Sequence, residues 1–167
     1  MNSFFCFTFT FMITLGVTFV FSESNVTPSE QCPGQNFDGL RDRIQVIPCG
    51  KKRCKLQKNT NTTVVFKFKP REKVETLVSD VYANIGELKL PFIGVTGVSA
   101  CPNIKRADTG EPAPCPLEAN EEYVYTNVFP IEKYYPNTRL IVYWSLNDGN
   151  KQVICFEVPA VITSAAS

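Results

Sequence analysis

The sequence predicts an all-β fold in which two sheets pack face to face. Three features support this prediction: short segments alternate apolar and polar residues, turn residues separate these segments, and an even number of cysteines follows residue 22. About seven such strands with three disulfides are typical of a β-sandwich of immunoglobulin-like architecture. A hydrophobic content of 44% is sufficient for such a domain to form its own core.

The first clear strand is Thr63–Lys69. Val64, Phe66 and Phe68 fall on one face of this segment, and lysines fall on the other. This alternation is typical of a strand with one buried and one solvated face.

Three more strands are predicted in the C-terminal half, each from apolar residues spaced two apart. The turn signal Asn147–Asn150 lies between the last two and predicts a hairpin. The strands, with their predicted inner faces, are Glu122–Ile131 (Tyr123, Tyr125, Phe129, Ile131), Arg139–Leu146 (Leu140, Val142, Trp144) and Lys151–Pro159 (Ile154, Phe156, Val158).

The segment Val74–Tyr82 gives two conflicting signals. Its apolar residues recur at helical spacing, which indicates an amphipathic helix of about three turns. Its content of Val and Thr favours a strand, and no helix cap is clear at its start. The residues alone leave both interpretations open.

Residues 1–22 are apolar, rich in Phe and free of charged side chains. This pattern predicts a secretory signal peptide that is cleaved near Ser22, leaving residues 23–167 as one domain. A membrane anchor is the alternative. It is disfavoured because the apolar stretch is short for a span and no basic cluster follows it. The protein is therefore predicted to be secreted.

The cysteines that follow the leader indicate disulfides rather than metal or thiol chemistry. The chain has no His and no CxxC pair, so no metal site and no cofactor are predicted. Paired cysteines are not nucleophiles, and without His no Ser-His-Asp or Cys-His mechanism is possible. The six cysteines that remain, enough for three disulfides, are Cys32, Cys49, Cys54, Cys101, Cys115 and Cys155.

The charge pattern excludes further function classes. A net charge of +1 predicts no nucleic-acid partner, because such proteins normally carry a basic patch. Glu118, Glu121 and Glu122 are interpreted as a charged strand edge rather than an acid–base set, so the protein is predicted not to be an enzyme. The basic residues Lys51, Lys52, Arg53, Lys55 and Lys58 fit either a solvated hairpin or a site for an anionic headgroup.

Two sequons predict N-linked glycosylation. Asn61 lies in a polar turn before a strand and is the better candidate, whereas Asn25 precedes Pro28 and lies near the expected cleavage site.

Between Cys32 and Ile162, a set of residues occurs in the same order as in a known protein family. Its N-terminal part contains Cys32, Asp38-Gly39, Pro48-Cys49, Cys54 and Leu56. Its C-terminal part contains Cys115-Pro-Leu, Tyr123-Val-Tyr125-Thr-Asn127-Val-Phe-Pro130-Ile131, Tyr135-Pro136, Val142-Tyr-Trp144 and Cys155-Phe-Glu157-Val-Pro159. This set resembles the Niemann-Pick type C secreted sterol-carrier family, whose domain is the ML (lipid-recognition) domain. Mite group 2 allergens and arthropod chemosensory carriers share the pattern.

The resemblance implies a seven-stranded, two-sheet sandwich without catalytic machinery, whose sheets part to hold a lipid in an apolar cavity. It makes Val74–Tyr82 a strand. It also implies the disulfides Cys32–Cys155, Cys49–Cys54 and Cys101–Cys115. The loop between Cys101 and Cys115 is longer than in vertebrate members, which is a departure from the family pattern.

Family pocket positions carry over one residue at a time. Phe92, Ile131 and Tyr135 are expected at the pocket mouth. The expected pocket walls are Val46, Tyr125, Phe129, Val142, Trp144 and Phe156. Without the family, the stripe of Leu140, Val142 and Trp144 fits an ordinary closed core equally well, and the residues alone do not distinguish a core from a cavity.

The function implied by the resemblance is a secreted or lysosomal carrier that transports a sterol, fatty acid or similar hydrophobic ligand. It is expected to be a monomer that docks to a membrane or receptor for ligand transfer. The alternatives are an arthropod chemosensory carrier of semiochemicals and a module that presents lipid in innate recognition. The long Cys101–Cys115 loop favours the last of these.

Overall fold

The computed structural model describes residues 26–36, 43–49 and 53–164 and confirms an all-β, two-sheet sandwich. The described residues form eleven strands and a short 3-10 turn at Cys101–Asn103. The structure has more strands than the seven expected because several short edge strands are included. The strands are β1 Glu30–Gln31, β2 Ile44–Ile47, β3 Cys54–Gln57, β4 Thr60–Phe68, β5 Val78–Ile85, β6 Leu88–Pro91, β7 Val98–Ser99, β8 Ile104–Arg106, β9 Tyr123–Ile131, β10 Arg139–Asp148 and β11 Lys151–Thr163.

The larger sheet contains β11, β10, β5 and β6 in this spatial order, with short strands along both edges. At one edge β1 pairs with β11 antiparallel and β3 pairs with it in parallel, and at the other β7 pairs with β5. The smaller sheet has the order β2-β4-β9-β8 and is antiparallel throughout. The core lies between the two sheets.

The predicted hairpin is formed by β10 and β11. Gly149 occupies the turn with φ 57°, a left-handed conformation that glycine adopts without steric cost. A register shift between Leu146 and Asn147 interrupts the ladder close to the turn. Along both strands the residues predicted to face inward are buried.

The central strands of the smaller sheet follow the alternation in the sequence. Val64, Phe66 and Phe68 of β4 are buried, and Lys67 between them is exposed. Strand β9 shows the same pattern, because Tyr123, Tyr125, Phe129 and Ile131 all face the core.

The segment 74–82 is not a helix, which settles the conflict in the sequence. Its second half belongs to β5, and Val74 forms an isolated bridge with Leu117 before the strand begins. The apolar residues at helical spacing are of two kinds: buried residues of the loop before β5, and residues of β5 itself. The inward face of β5 also contains a polar residue, Ser79, whose hydroxyl donates to the carbonyl of Val95 at 2.6 Å.

Three disulfides join the pairs that the family resemblance implies: Cys32–Cys155, Cys49–Cys54 and Cys101–Cys115. Cys49 follows β2 of the smaller sheet and Cys54 begins β3 of the larger sheet, so this disulfide links the two sheets. Cys32–Cys155 spans 123 residues and ties the N-terminal segment to β11.

Several predictions fall outside the described residues: the leader at residues 1–22, Asn25, Asp38-Gly39, and Lys51 with Lys52. Within the described ranges, no helix is long and apolar enough to cross a membrane. The same ranges contain no cluster of three or more metal-binding side chains.

The disulfide Cys32–Cys155 is expected to contribute most to stability. In the chain-entropy model, a disulfide that closes a loop of this length raises the unfolding free energy by about 4–5 kcal/mol. The short Cys49–Cys54 loop raises it by about 2 kcal/mol. The double variant Cys32→Ala/Cys155→Ala should therefore lose about twice as much unfolding free energy in urea as Cys49→Ala/Cys54→Ala. Equal losses would contradict the assignment of Cys32–Cys155 as the main covalent restraint.

Candidate ligand-binding site

An apolar cavity of about 20 Å³ lies between the two sheets, and we refer to it as the inner cavity. Both sheets contribute to its wall, and every lining side chain is apolar or a disulfide cysteine. The lining residues are Val46, Val64 and Phe129 from the smaller sheet and Cys54, Leu56, Val142, Trp144, Phe156 and Val158 from the larger sheet.

A second apolar cavity of about 50 Å³ lies where β5 and β6 meet the loop after β9, and we refer to it as the outer cavity. Tyr135 and Pro136 of that loop form one side. The remainder is formed by residues of β5, β6 and β11 and by Phe92, which follows β6: Ala83, Ile85, Leu90, Pro91, Phe92 and Ile162.

The side chain of Phe92 contacts lining residues of both cavities. Its ring contacts Tyr135 of the outer cavity, with centroids 5.8 Å apart, and Phe129 of the inner cavity, with centroids 5.7 Å apart. The cavities also adjoin along the larger sheet, because Val142 of the inner cavity is the register partner of Ala83 of the outer one.

The inner cavity is small because aromatic rings from both sheets meet around it. Trp144 of the larger sheet lies 5.6 Å from Phe129 and 6.0 Å from Tyr125, measured between ring centroids. Phe66 of the smaller sheet lies 5.1 Å from Phe156. We refer to these five rings as the aromatic cluster.

The apolar cavity between the described sheets is far smaller than a lipid. Ligand pockets typically measure roughly 300–1,000 Å³, whereas 20 Å³ is close to the space of a single water. A lipid would have to displace rings of the aromatic cluster and separate the sheets. The site is therefore a packed apolar interior with an adjoining outer cavity.

Seven of the nine residues predicted at the site line one of these two cavities. Val46, Phe129, Val142, Trp144 and Phe156 line the inner cavity. Phe92 and Tyr135 line the outer cavity.

Tyr125 and Ile131 line neither cavity. Both side chains are fully buried, and Tyr125 belongs to the aromatic cluster. The family resemblance implies a mouth position for Ile131, but the turn before β4 covers this end of β9. The amide of Asn59 donates to the carbonyl of Ile131 at 2.8 Å, and Thr60 is its register partner.

Sequence reasoning missed Leu56, Cys54 and Ile162 as lining residues. Leu56 and Cys54 belong to β3, whose parallel pairing with β11 brings them beneath the inner cavity. Leu56 and Ile162 are register partners on these strands. Their position is evident only from this non-local pairing. Strand β3 is too short for its alternation of apolar and polar residues to predict a buried face.

Both cavities are free of charge. The linings contain no acidic or basic side chain. Burial raises the pKa of the Tyr135 hydroxyl, and it raises the pKa of Tyr125 to about 12, so both phenols remain neutral at physiological pH. The Tyr125 hydroxyl accepts a hydrogen bond from Asn127 Nδ2 at 2.9 Å. The site therefore suits apolar or weakly polar ligands.

A larger groove of about 550 Å³ lies at the opposite ends of β10 and β11. Charged side chains line it, including Arg71, Glu72 and Lys151. Lys151 forms an ion pair with Glu72 at 2.5 Å, and Arg71 donates to the carbonyl of Asn36 at 3.0 Å. This lining is unsuited to an apolar ligand, so the groove is not the candidate site despite its size.

The charged residues singled out in the sequence lie on the surface. Glu121 pairs with Arg106 at 2.9 Å and Glu122 with Arg43 at 3.1 Å, and neither adjoins a cavity wall. Arg53 and Lys55 of the basic cluster are exposed. No described contact brings these groups together as a catalytic set.

Comparison with known proteins identifies the family. The model of the ML domain family matches residues 26–162. The chain belongs to the ML domain family. Its members are non-enzymatic binding proteins, which confirms the prediction that the chain is not an enzyme.

Relatives and a solved structure agree with this assignment. The chain is 31% identical over 127 residues to NPC intracellular cholesterol transporter 2 homolog a of Drosophila melanogaster, covering 74% of this chain and 80% of the relative. It is 27% identical to NPC intracellular cholesterol transporter 2 of Mus musculus, covering 75% and 79%. A crystal structure of a Niemann-Pick type C2 protein from Japanese carpenter ant shares the fold with a TM-score of 0.65, at 23% identity, covering 80% of this chain and 98% of that chain.

Replacement of Trp144 should show how tightly the ML domain interior is packed. Trp144→Ala is expected to lower the unfolding free energy by about 3–5 kcal/mol, because the ring is buried among aromatic neighbours of both sheets. The matched control is Tyr134→Ala, a ring that is 60% exposed, with an expected change within about 0.5 kcal/mol. Urea unfolding measures both. Similar values for the two variants would show that Trp144 is not packed as described.

Proposed function

We propose that this protein is a secreted carrier that binds a sterol, a fatty acid or a similar hydrophobic small molecule between its two sheets and transports it. The observation that carries this proposal is the pair of adjoining apolar cavities: both sheets line the inner cavity, and Phe92 of the outer cavity contacts Phe129 of the inner one. Two curated relatives are named as cholesterol transporters, which supports the same ligand class.

The proposed entry route passes through the outer cavity. The ligand first contacts Tyr135 and Leu90, then displaces Phe92, and finally inserts between Val142 and Phe129. Binding is driven by apolar surface removed from water, at roughly 25 cal/mol per Å². Part of this gain offsets the lost contacts of the aromatic cluster, where each pair contributes about 0.5–1.5 kcal/mol beyond its buried area.

Exposed apolar residues surround the proposed entrance. Leu88, Ile93 and Tyr134 are each at least 60% exposed. Leu88 shares a strand with Leu90, Ile93 follows Phe92, and the Tyr134 ring lies 5.2 Å from that of Tyr135. We propose that this end of the monomer docks to a membrane or receptor during ligand transfer, so that the lipid crosses little water.

The leader and the disulfides support secretion of the protein or its delivery to the lysosome. Residues 1–22 are proposed as a cleaved signal peptide and residues 23–167 as the mature ML domain. Three disulfides fit an oxidising compartment. Asn61 is an exposed residue of β4 and is proposed as a glycosylation site, with Asn25 as a second candidate outside the described residues.

A pair of substitutions on neighbouring positions of β10 tests the binding site. The side chain of Val142 lines the inner cavity. The neighbouring residue Ile141 lies on the opposite face of the strand and does not line this cavity. Val142→Phe should fill the space that the ligand needs and lower affinity for a fluorescent sterol or fatty acid by at least about tenfold, which is 1.4 kcal/mol. Ile141→Phe should bind like the wild type.

Thermal melts check that both variants remain folded, and mass spectrometry of lipid extracted from the purified wild type identifies the natural ligand. A folded Val142→Phe variant with unchanged affinity would place the site elsewhere. The carrier proposal itself would fail if the wild type released no lipid and bound neither sterols nor fatty acids.

A further inference from the structure

The outer face of the smaller sheet carries exposed apolar side chains that the proposed carrier function does not explain. Among the described residues, seven large apolar side chains are exposed: Ile47, Leu88, Leu90, Ile93, Val98, Val128 and Tyr134. Four of them lie at the proposed entrance. Ile47 and Val128 are 50% and 56% exposed and belong instead to the smaller sheet, so docking at the entrance does not account for them.

The register of the smaller sheet places these two side chains in one row. Ile47 of β2 pairs with Thr63 of β4, and Thr63 pairs with Val128 of β9. Each adjoins a buried residue of its own strand, so all three side chains lie on the outer face. Pro130, two residues beyond Val128, is also exposed and extends the same surface. We refer to Ile47, Thr63, Val128 and Pro130 as the apolar patch.

The sequon of Asn61 lies at this patch. Asn61 is exposed, shares the outer face of β4 with Thr63 and is the register partner of Pro130. Directly paired residues of neighbouring strands have Cβ atoms about 4.5–5.5 Å apart, and diagonal neighbours lie about 7–8 Å apart. Asn61 is therefore a direct neighbour of Pro130 and a diagonal neighbour of Val128. Thr63, the hydroxyl residue of the sequon, is itself the centre of the patch.

Charged side chains do not protect this part of the sheet. The two register rows that contain the patch, at Thr63 and at Asn61, include no charged residue. The nearest lysine on the outer face of β4 is Lys67, four residues from Thr63. Apolar side chains grouped on an exposed face favour association with another surface unless something covers them. The patch therefore needs an occupant.

We propose that the N-linked glycan of Asn61 covers the apolar patch and thereby keeps the protein monomeric. This inference rests on the glycosylation proposed above for Asn61. An N-glycan is bulky and solubilising, and the C–H faces of its sugar rings pack on apolar side chains while its hydroxyls remain in water. A second copy of the chain is the competing occupant, since two such patches would cover each other around a two-fold axis. A glycan at Asn61 holds two facing patches apart, because its attachment point adjoins Pro130 and Val128.

The secreted protein with and without its glycan tests this inference while the patch itself stays unchanged. The protein carries Asn25→Gln, so that Asn61 lies in the one remaining sequon of the chain. It is produced with oligomannose glycans, which endoglycosidase H trims to a single N-acetylglucosamine. Mass spectrometry of the Asn61 peptide gives the occupancy. Carbene footprinting then measures the exposure of individual side chains, at a dilution at which both forms are monomers.

Trimming should raise the carbene labelling of Ile47 and Val128 by about twofold, because the bulky glycan no longer excludes the probe. Val98 is the internal control, since it is 47% exposed on the other sheet and its labelling should not change. In sedimentation velocity the glycosylated form should remain a monomer over a concentration series, whereas the trimmed form should self-associate. The trimmed variant Ile47→Thr/Val128→Thr should remain a monomer, because it lacks the apolar contacts.

The inference is overturned by an unoccupied Asn61 in the secreted protein, by equal labelling of Ile47 and Val128 in both forms, or by a trimmed form that stays monomeric. Self-association of the trimmed double variant would also overturn it, because the contact would then lie elsewhere. Sterol and fatty acid binding is measured on both forms and should be equal, because the patch lies on the outer face of the sheet, away from the inner cavity. Absence of binding in both forms would count against the carrier proposal and not against this inference.

Discussion

The contact between Trp144 and the aromatic rings of the opposite sheet is the interaction on which the rest of this structure depends. A sandwich of two half-apolar sheets must cover both inner faces, and here five large rings meet to do so. Their size leaves only about 20 Å³ between the sheets. The same rings that stabilise the fold therefore occupy the place where a ligand would bind, and stability and binding compete for one set of contacts.

One disulfide joins the two sheets covalently at the edge of the larger sheet where β3 lies. Cys49–Cys54 joins the end of β2 to the start of β3 and so connects the sheets at one edge. At the far edge of the larger sheet, β6 carries exposed leucines and borders the outer cavity. The outer cavity extends from β6 to Ile162 of β11 and includes Phe92 and Tyr135, so it lies across one end of the larger sheet.

Local patterns in the sequence predicted the strands well where each strand has one buried face. Val64, Phe66 and Phe68 alternate with solvated residues, and the β10–β11 hairpin has a clear turn at Gly149. Prediction was ambiguous or wrong where burial depends on non-local contacts. The helical period over 74–82 arose from loop residues such as Val74, and Ile131 is covered by a turn from another part of the chain. The unpartnered hydroxyl of Thr62 could not be predicted, since a missing partner is a property of the assembled core.

Trp144 is the only tryptophan of the chain and lines the inner cavity, so its fluorescence tests the central claim that the ligand enters between the sheets. The measurement is the emission of Trp144 during titration with a fluorescent sterol such as dehydroergosterol, together with an independent binding isotherm from radiolabelled cholesterol. The account predicts saturable energy transfer from Trp144 to the sterol, with a midpoint equal to that of the isotherm. Saturable binding of cholesterol without any change in Trp144 emission would contradict it.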